Sequence, residues 1–315
     1  MRWTQIPRAP GQRGFPAASE EMILRYKNRR RTGVVAALCL ALAACASTSG
    51  APQSQQASLL QSQSAAAVPH FDQSQQASLL LSELRRIDVA HSEQSIYYLG
   101  LALYSETWSQ NDVVDLAEEL SASVPTFAVR SVILSNYTVG TNGQYPLATS
   151  GAVDIAVGFI RSHSEPDDLV VVAVSTHGGP GLLAQEIGQV SLPSLSAEDF
   201  RRSLSPLADR RTIIILSSCY SASLIPSLKM ANRIIITAAR SDRTSFGCQA
   251  DAEHTVFGQA MVGAFARSNQ SLHTIVDAVR AKVAATEVER HFSPPSEPQV
   301  FVGSDMQQLY YAQMF

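Results

Sequence analysis

Two side chains able to do nucleophilic chemistry stand where apolar runs stop. In LVVVAVSTHGG, residues 169–179, a β-branched run ends at His177, followed by Gly178 and Gly179; in TIIILSSCYS, residues 212–221, a second run ends at Cys219. Either residue alone reads more simply, the cysteine as a small buried hydrophobe and the histidine as an ordinary core or surface group. Together, each following a buried strand of one sheet, they suit attack on a carbonyl carbon. A thiol reacts as its thiolate and titrates near pH ~8.5 when free, so it needs an imidazole to manage the proton. Cys219 is thus the candidate nucleophile and His177 the candidate to manage its proton. The segment SASLIPSL after the cysteine predicts a helix start whose dipole would favour the anion. An oxyanion formed on attack needs preorganised donors, and the backbone N–H groups of Gly178 and Cys219 are the candidates. Gly178 and Gly179 permit the close backbone approach that a side chain would block.

The elements that must hold these residues follow from the pattern. Residues 95–106, 127–136, 169–175, 212–218 and 233–239 are apolar runs, and 111–122, 150–163 and 196–208 are amphipathic, with Asn111 or Asp112 expected to cap the first of these helices. Continuous rather than alternating apolar runs suit parallel strands covered on both faces. The expectation is a doubly wound α/β domain, with its site at the carboxyl ends of the strands. Residues 181–193 have hairpin character, 293–298 are a proline-rich loop, and QVFVGS adds a terminal edge strand.

The chain has 315 residues, enough for one large core with appendages. Residues 1–44 read as a secretory signal, with a basic block at Lys27–Arg31 and an apolar stretch too short to span a bilayer; Met22 leaves residues 1–21 as an over-long start. The signal ends in LAAC, which resembles the lipobox of bacterial lipoproteins and implies cleavage before Cys45 and its lipidation; ordinary cleavage after Ala46 is the alternative. In a diderm bacterium the same resemblance implies, from Ala46 in place of aspartate after that cysteine, an outer-membrane anchor facing the periplasm. Two or more acyl chains anchor stably in a bilayer. Residues 45–90 are Ser/Gln/Ala-rich, repeat QSQQASLL and read as a tether, with LLSELRRIDVA as a short amphipathic helix docking on the domain. The folded domain is expected over 91–305 and a tail over 306–315. Without residues 1–44 the formal charge is about −9, which argues against a nucleic-acid partner. Cys219 and Cys248 then remain as a disulfide or as two thiols in an oxidising compartment.

The runs into HG at His177 and SCYS at Ser218–Ser221, with ITAARSDRTSFGC from Ile236 to Cys248, resemble the legumain-like cysteine peptidases of family C13 over residues 95–305. The resemblance implies a caspase-like three-layer α/β sandwich with a mostly parallel sheet. It also implies hydrolysis of peptide bonds in peptides or proteins through a Cys219–His177 dyad, with Cys219 as nucleophile and His177 as general acid to the leaving amine, and with no metal or organic cofactor. Cys248 is then a second thiol beside the nucleophile. By family position Thr244, Ser245, Phe246, Ser217 and Gln259 line the substrate groove. Ser217 and Gln259 stand where legumains place acidic pocket residues, so asparaginyl specificity does not carry over. Within RSDR an ion pair is the expected role of Arg240, Asp242 and Arg243; His254 is given no part in the site. A catalytically idle binding module and a transamidase or transpeptidase using the same acyl-enzyme remain alternatives. Oligomeric state is not legible in the sequence.

Overall fold

The computed structural model describes residues 71–88, 94–138, 144–267 and 269–315. The expected signal segment, Cys45 and most of the expected tether lie outside these residues. A six-stranded sheet forms the middle layer, in the order β2-β1-β3-β7-β8-β9. Its strands are β1 (Ser95–Ala102), β2 (Ala128–Ser135), β3 (Leu169–Ser175), β7 (Arg211–Ser217), β8 (Arg233–Thr237) and β9 (Gln299–Val302). The first five run parallel, and β9 closes the edge antiparallel to β8. Strands β4 (Gly178–Gly179), β5 (Leu182–Ile187) and β6 (Val190–Ser196) make a small antiparallel sheet after β3, where hairpin character was expected.

Residues of alternating parity feed two cores because successive side chains of a strand point to opposite faces. Tyr98, Val171, Ile213 and Ile234 pack on one face under α2 (Thr107–Ser123), α6 (Val256–Phe265) and α7 (Leu272–Glu289). Tyr97, Val172, Ile214 and Ile235 pack on the other. There they meet α1 (Gln73–Ile87), α3 (Ser150–His163), α4 (Ala197–Ser203) and α5 (Ile225–Leu228). The result is the expected three-layer α/β sandwich. Helix α3 has the predicted bounds: the Thr149 hydroxyl caps Ala152 N–H, and Arg161 and His163 sit in the last turn, where the dipole favours cations.

Packed structure extends beyond the expected limits at both ends. Asp72 caps α1 through Ser74 and Gln75 N–H. The helix then buries Leu80, Leu84 and Ile87, and its Glu83 accepts the Ile133 N–H of edge strand β2 at 2.9 Å. This is the expected docking helix, begun earlier than expected, at Gln73, so residues 73–87 pack on the domain rather than forming tether, because the amphipathic face covers an edge strand. At the other end α8 (Gln307–Tyr311) follows a short 3₁₀ turn, and Met306, Leu309, Tyr310 and Phe315 are buried. The 306–315 segment, expected as a tail, packs on the core through these four side chains.

Helix α2 corrects a third expectation. It begins at Thr107 after Glu106, so Asn111 and Asp112 lie inside it and cap nothing. The start is set by tertiary contacts: Trp108 is fully buried and the Ser109 hydroxyl donates to Ser175 O at 2.7 Å.

Candidate active site

Strands β3 and β7 are neighbours with Ser175 opposite Ser217, so His177 and Cys219 each stand two residues beyond one paired position. The ladder continues one step, with Thr176 N–H donating to Ser217 O at 3.1 Å. Beyond it Gly178 lies against Ser218 and Cys219. A Cβ built on Gly178 would meet the Cys219 carbonyl oxygen at 2.4 Å and Ser218 Oγ at 3.0 Å. Backbone oxygen cannot yield as a side chain would, so this close approach requires glycine.

The imidazole of His177 is enclosed by aromatic edges. Tyr104 meets it at a centroid distance of 4.4 Å and 89°, and Trp108 at 5.2 Å and 73°. Burial lowers the His177 pKa from its ordinary value, and the negative charge of Glu186 on β5 opposes the shift. Burial favours the neutral ring, because desolvation penalises the charged form. The same carboxylate faces Tyr104, whose phenol is pushed up to about 12, first by burial and then by Glu186.

The half-buried thiol of Cys219 is surrounded by Ser245. Ser245 N–H donates to Sγ at 3.3 Å, and Sγ lies 3.7 Å from Ser245 O and 3.6 Å from Ser245 Oγ. Tyr220 is left-handed, with φ 56° and ψ 18°. For a bulky residue that conformation is strained, and such strain concentrates at functional sites. The turn is held by Tyr220 N–H to Arg243 O at 2.8 Å, and Ser223 Oγ ties it to the histidine side by accepting Gly181 N–H at 2.8 Å. After this turn comes a four-residue 3₁₀ segment and the four-residue α5. The expected helix dipole behind the thiol is therefore not built, since so few peptides align.

The predicted groove residues divide. Ser245 stands beside the thiol, and it and its sequence neighbour Thr244 are partly exposed. Phe246 stacks on Phe292 at 4.5 Å and 11°, so its ring serves packing. Ser217 is buried, its hydroxyl 3.1 Å from Asp112 Oδ2 and 2.9 Å from Thr255 Oγ1, which removes it from the groove. Gln259 is exposed between buried Gly258 and Ala260 on α6. Arg240 pairs with Asp242 at 2.6 Å and with Glu297 at 2.6 Å, the expected ion-pair role. Cys219 and Cys248 are both free thiols. Burial, and next the charge of Cys219, raise the Cys248 pKa.

Sequence reasoning passed over two residues here. Asp112 is buried beneath the strand ends, and His254 bridges Asp112 Oδ1 at 3.2 Å and Asp115 Oδ2 at 3.1 Å. An acidic residue one position before an apolar helical stripe is the signal that was available. Ser105 Oγ, Trp108 Nε1 and Ser218 Oγ, all close to the strand ends, are buried without a hydrogen-bond partner among the described residues. Each such group costs about 1–3 kcal/mol, a cost that native proteins tolerate chiefly where there is a use for it. Among the described residues no cluster of His, Cys, Asp and Glu is built to hold a metal, and no helix is long and apolar enough to cross a membrane.

No curated protein matches the chain. Caspase-1 from Spodoptera frugiperda aligns with 14% identity over 66% of this chain and 86% of its own, at a TM-score of 0.43. A structure described as pro-sf-caspase-1 aligns with 15% identity over 69% of this chain and 94% of its own, at a TM-score of 0.44. The model of the peptidase C13 family matches residues 150–308, which include His177, Cys219 and the loop of Ser245. With that match spanning half of its length, the chain belongs to the peptidase C13 family.

Proposed function

We propose that the chain is a cysteine peptidase in which Cys219 is the nucleophile and His177 carries the proton. The carrying observation is the pairing of Ser175 with Ser217, which brings both residues to the carboxyl edge of adjacent strands. In this reading the neutral imidazole takes the thiol proton as Sγ bonds to the substrate carbonyl carbon. The N–H groups of Gly178 and Cys219 receive the oxyanion, the C–N bond breaks, and the imidazole passes the proton to the leaving amine. Water then attacks the thioester and gives its proton to His177, the C–S bond breaks to release the acid, and the imidazolium returns the proton to the thiolate. Thr244 and Ser245 offer polar contacts to the substrate backbone. The reaction as written draws on no cofactor, and the substrate class is peptide or protein.

Cys45 is proposed as the lipidated first residue of the mature protein, holding the domain at the outer membrane facing the periplasm. The test of the function uses Cys219→Ala and His177→Ala in the mature protein, with a fluorogenic peptide mixture varied at the cleaved position. Both variants are expected to stay folded and to lose turnover by at least about 10³-fold. Parent-like turnover by folded Cys219→Ala overturns the proposal. Failure of the reduced parent to turn over or to react with an acyloxymethyl ketone leaves the binding-module reading, and products joined to an added amine would favour the transamidase.

A further inference from the structure

Asp112 sits in α2, outside the segment matched by the family model, and is buried. Three hydroxyls converge on its Oδ2: Thr255 at 2.7 Å, Ser175 at 2.8 Å and Ser217 at 3.1 Å. Its Oδ1 meets Thr255 N–H and His254 Nδ1, each at 3.2 Å. Ser175 and Ser217 are the paired residues that end β3 and β7, so one carboxylate grips both strands two residues before His177 and Cys219. Thr255 also accepts Gly258 N–H at 2.8 Å as the cap of α6, and Val256 N–H donates to Phe246 O at 2.9 Å. That second bond pins the residue next to Ser245, whose backbone surrounds the thiol. The carboxylate therefore joins the three chain segments that build the site.

A buried carboxylate is a costly way to fill a core, and an apolar residue would serve packing alone at less cost. The neighbouring backbone is shaped to admit it: a Cβ on Gly258 would lie 1.9 Å from Asp112 Oδ1. Beyond Thr176 and Ser217 the sheet ladder ends, and it is there that the reacting groups sit. Holding those ends matters because a displacement near 1 Å at a reacting group costs about 10²-fold in rate.

We propose that Asp112 is a positioning residue, setting the relative placement of His177 and Cys219 through the Ser175 and Ser217 hydroxyls; the assignment rests on the cysteine-peptidase reading. The experiment compares Asp112→Asn, Ser217→Ala and Ser217→Thr in the mature protein with the best-cleaved member of the fluorogenic peptide mixture. Folding is checked by circular dichroism, and active sites are counted with the acyloxymethyl ketone. Asp112→Asn is expected to lower kcat about 10–100-fold with KM within about twofold. Ser217→Ala is expected to lower kcat about 3–10-fold, and Ser217→Thr, which restores the hydroxyl, to stay within about twofold of the parent. Should Asp112→Asn not fold, the alanine–threonine contrast at Ser217 decides. Variants that melt earlier yet keep parent kcat per active site overturn the assignment. A parent that neither cleaves nor labels overturns the peptidase reading beneath it.

Discussion

Replacing Gly258 by alanine adds one methyl group to α6, and the structure makes the outcome opposite to that of the same change five residues later. A Cβ at Gly258 would lie 1.9 Å from Asp112 Oδ1, 2.1 Å from Cγ and 2.4 Å from Oδ2, whereas a Cβ at Gly263 would meet nothing within 4 Å. Helix propensity favours alanine over glycine by about 1 kcal/mol at either position. At Gly258 the methyl must displace a carboxylate that five donors hold. Overpacking costs about 1–3 kcal/mol, and loss of even one hydrogen bond to a charged group costs about 1.5–3 kcal/mol. Set against the propensity gain, the net is a destabilisation of about 2–5 kcal/mol, or a fall in Tm on the order of 10 °C for a domain of this size. Gly263→Ala should instead raise Tm by roughly 1–4 °C. Thermal unfolding followed by circular dichroism reads both, and Asp112→Ala/Gly258→Ala should cost less than the two single changes added together. Equal effects of the two glycine substitutions would refute the packing described for Asp112.

Three further outcomes are expected. The pKa of His254 is raised, first by its hydrogen bond to Asp112 and then by the charges of Asp112, Asp115 and Glu253, with burial opposing. A raised folded-state value gives stability that is full below the ordinary histidine pKa of about 6.5 and is lost as pH rises through the folded value. His254→Gln should therefore cost about 1–2 kcal/mol in urea unfolding near pH ~5.5 and less near pH ~9, and the reverse order would contradict the bridge. Glu83→Ala removes the acceptor of the buried Ile133 N–H and should cost about 1–3 kcal/mol, with faster amide exchange at Ile133 as its signature. Gly178→Ala drives a methyl onto the Cys219 carbonyl oxygen and should slow alkylation of Cys219 by iodoacetamide about tenfold or more; an unchanged rate would show that the contact does not matter.

How much of this was written legibly in the chain depends on the range of the contact involved. The strands could be read because β3 and β7 are unbroken apolar runs, and α3 because Thr149 starts it and basic residues end it. These are local signals. The start of α2 could not be read, since SETWSQN has no helical period and its position is fixed by Trp108 and Ser109 reaching across to the site. Asp112 looked like a cap for the same reason. Its partners Ser175, Ser217 and Thr255 lie 63, 105 and 143 residues away in sequence, and short polar residues at such distances declare nothing until the fold joins them. Cys219 and His177 were singled out from the strand ends and the family resemblance, and the pairing of Ser175 with Ser217 puts them on neighbouring strand ends. The helix expected behind the thiol is not built, because the left-handed Tyr220 and the short turn after it are tertiary choices that no local propensity favours.

The central claim is that Cys219 is the reactive sulfur and Cys248 a neighbour held back by burial. Mass mapping of the reduced protein after treatment with an acyloxymethyl ketone tests it directly. The adduct should sit on Cys219, should be absent from Cys248, and should form at least about tenfold more slowly in His177→Ala. An adduct on Cys248, or one on Cys219 whose rate ignores His177, would contradict the account.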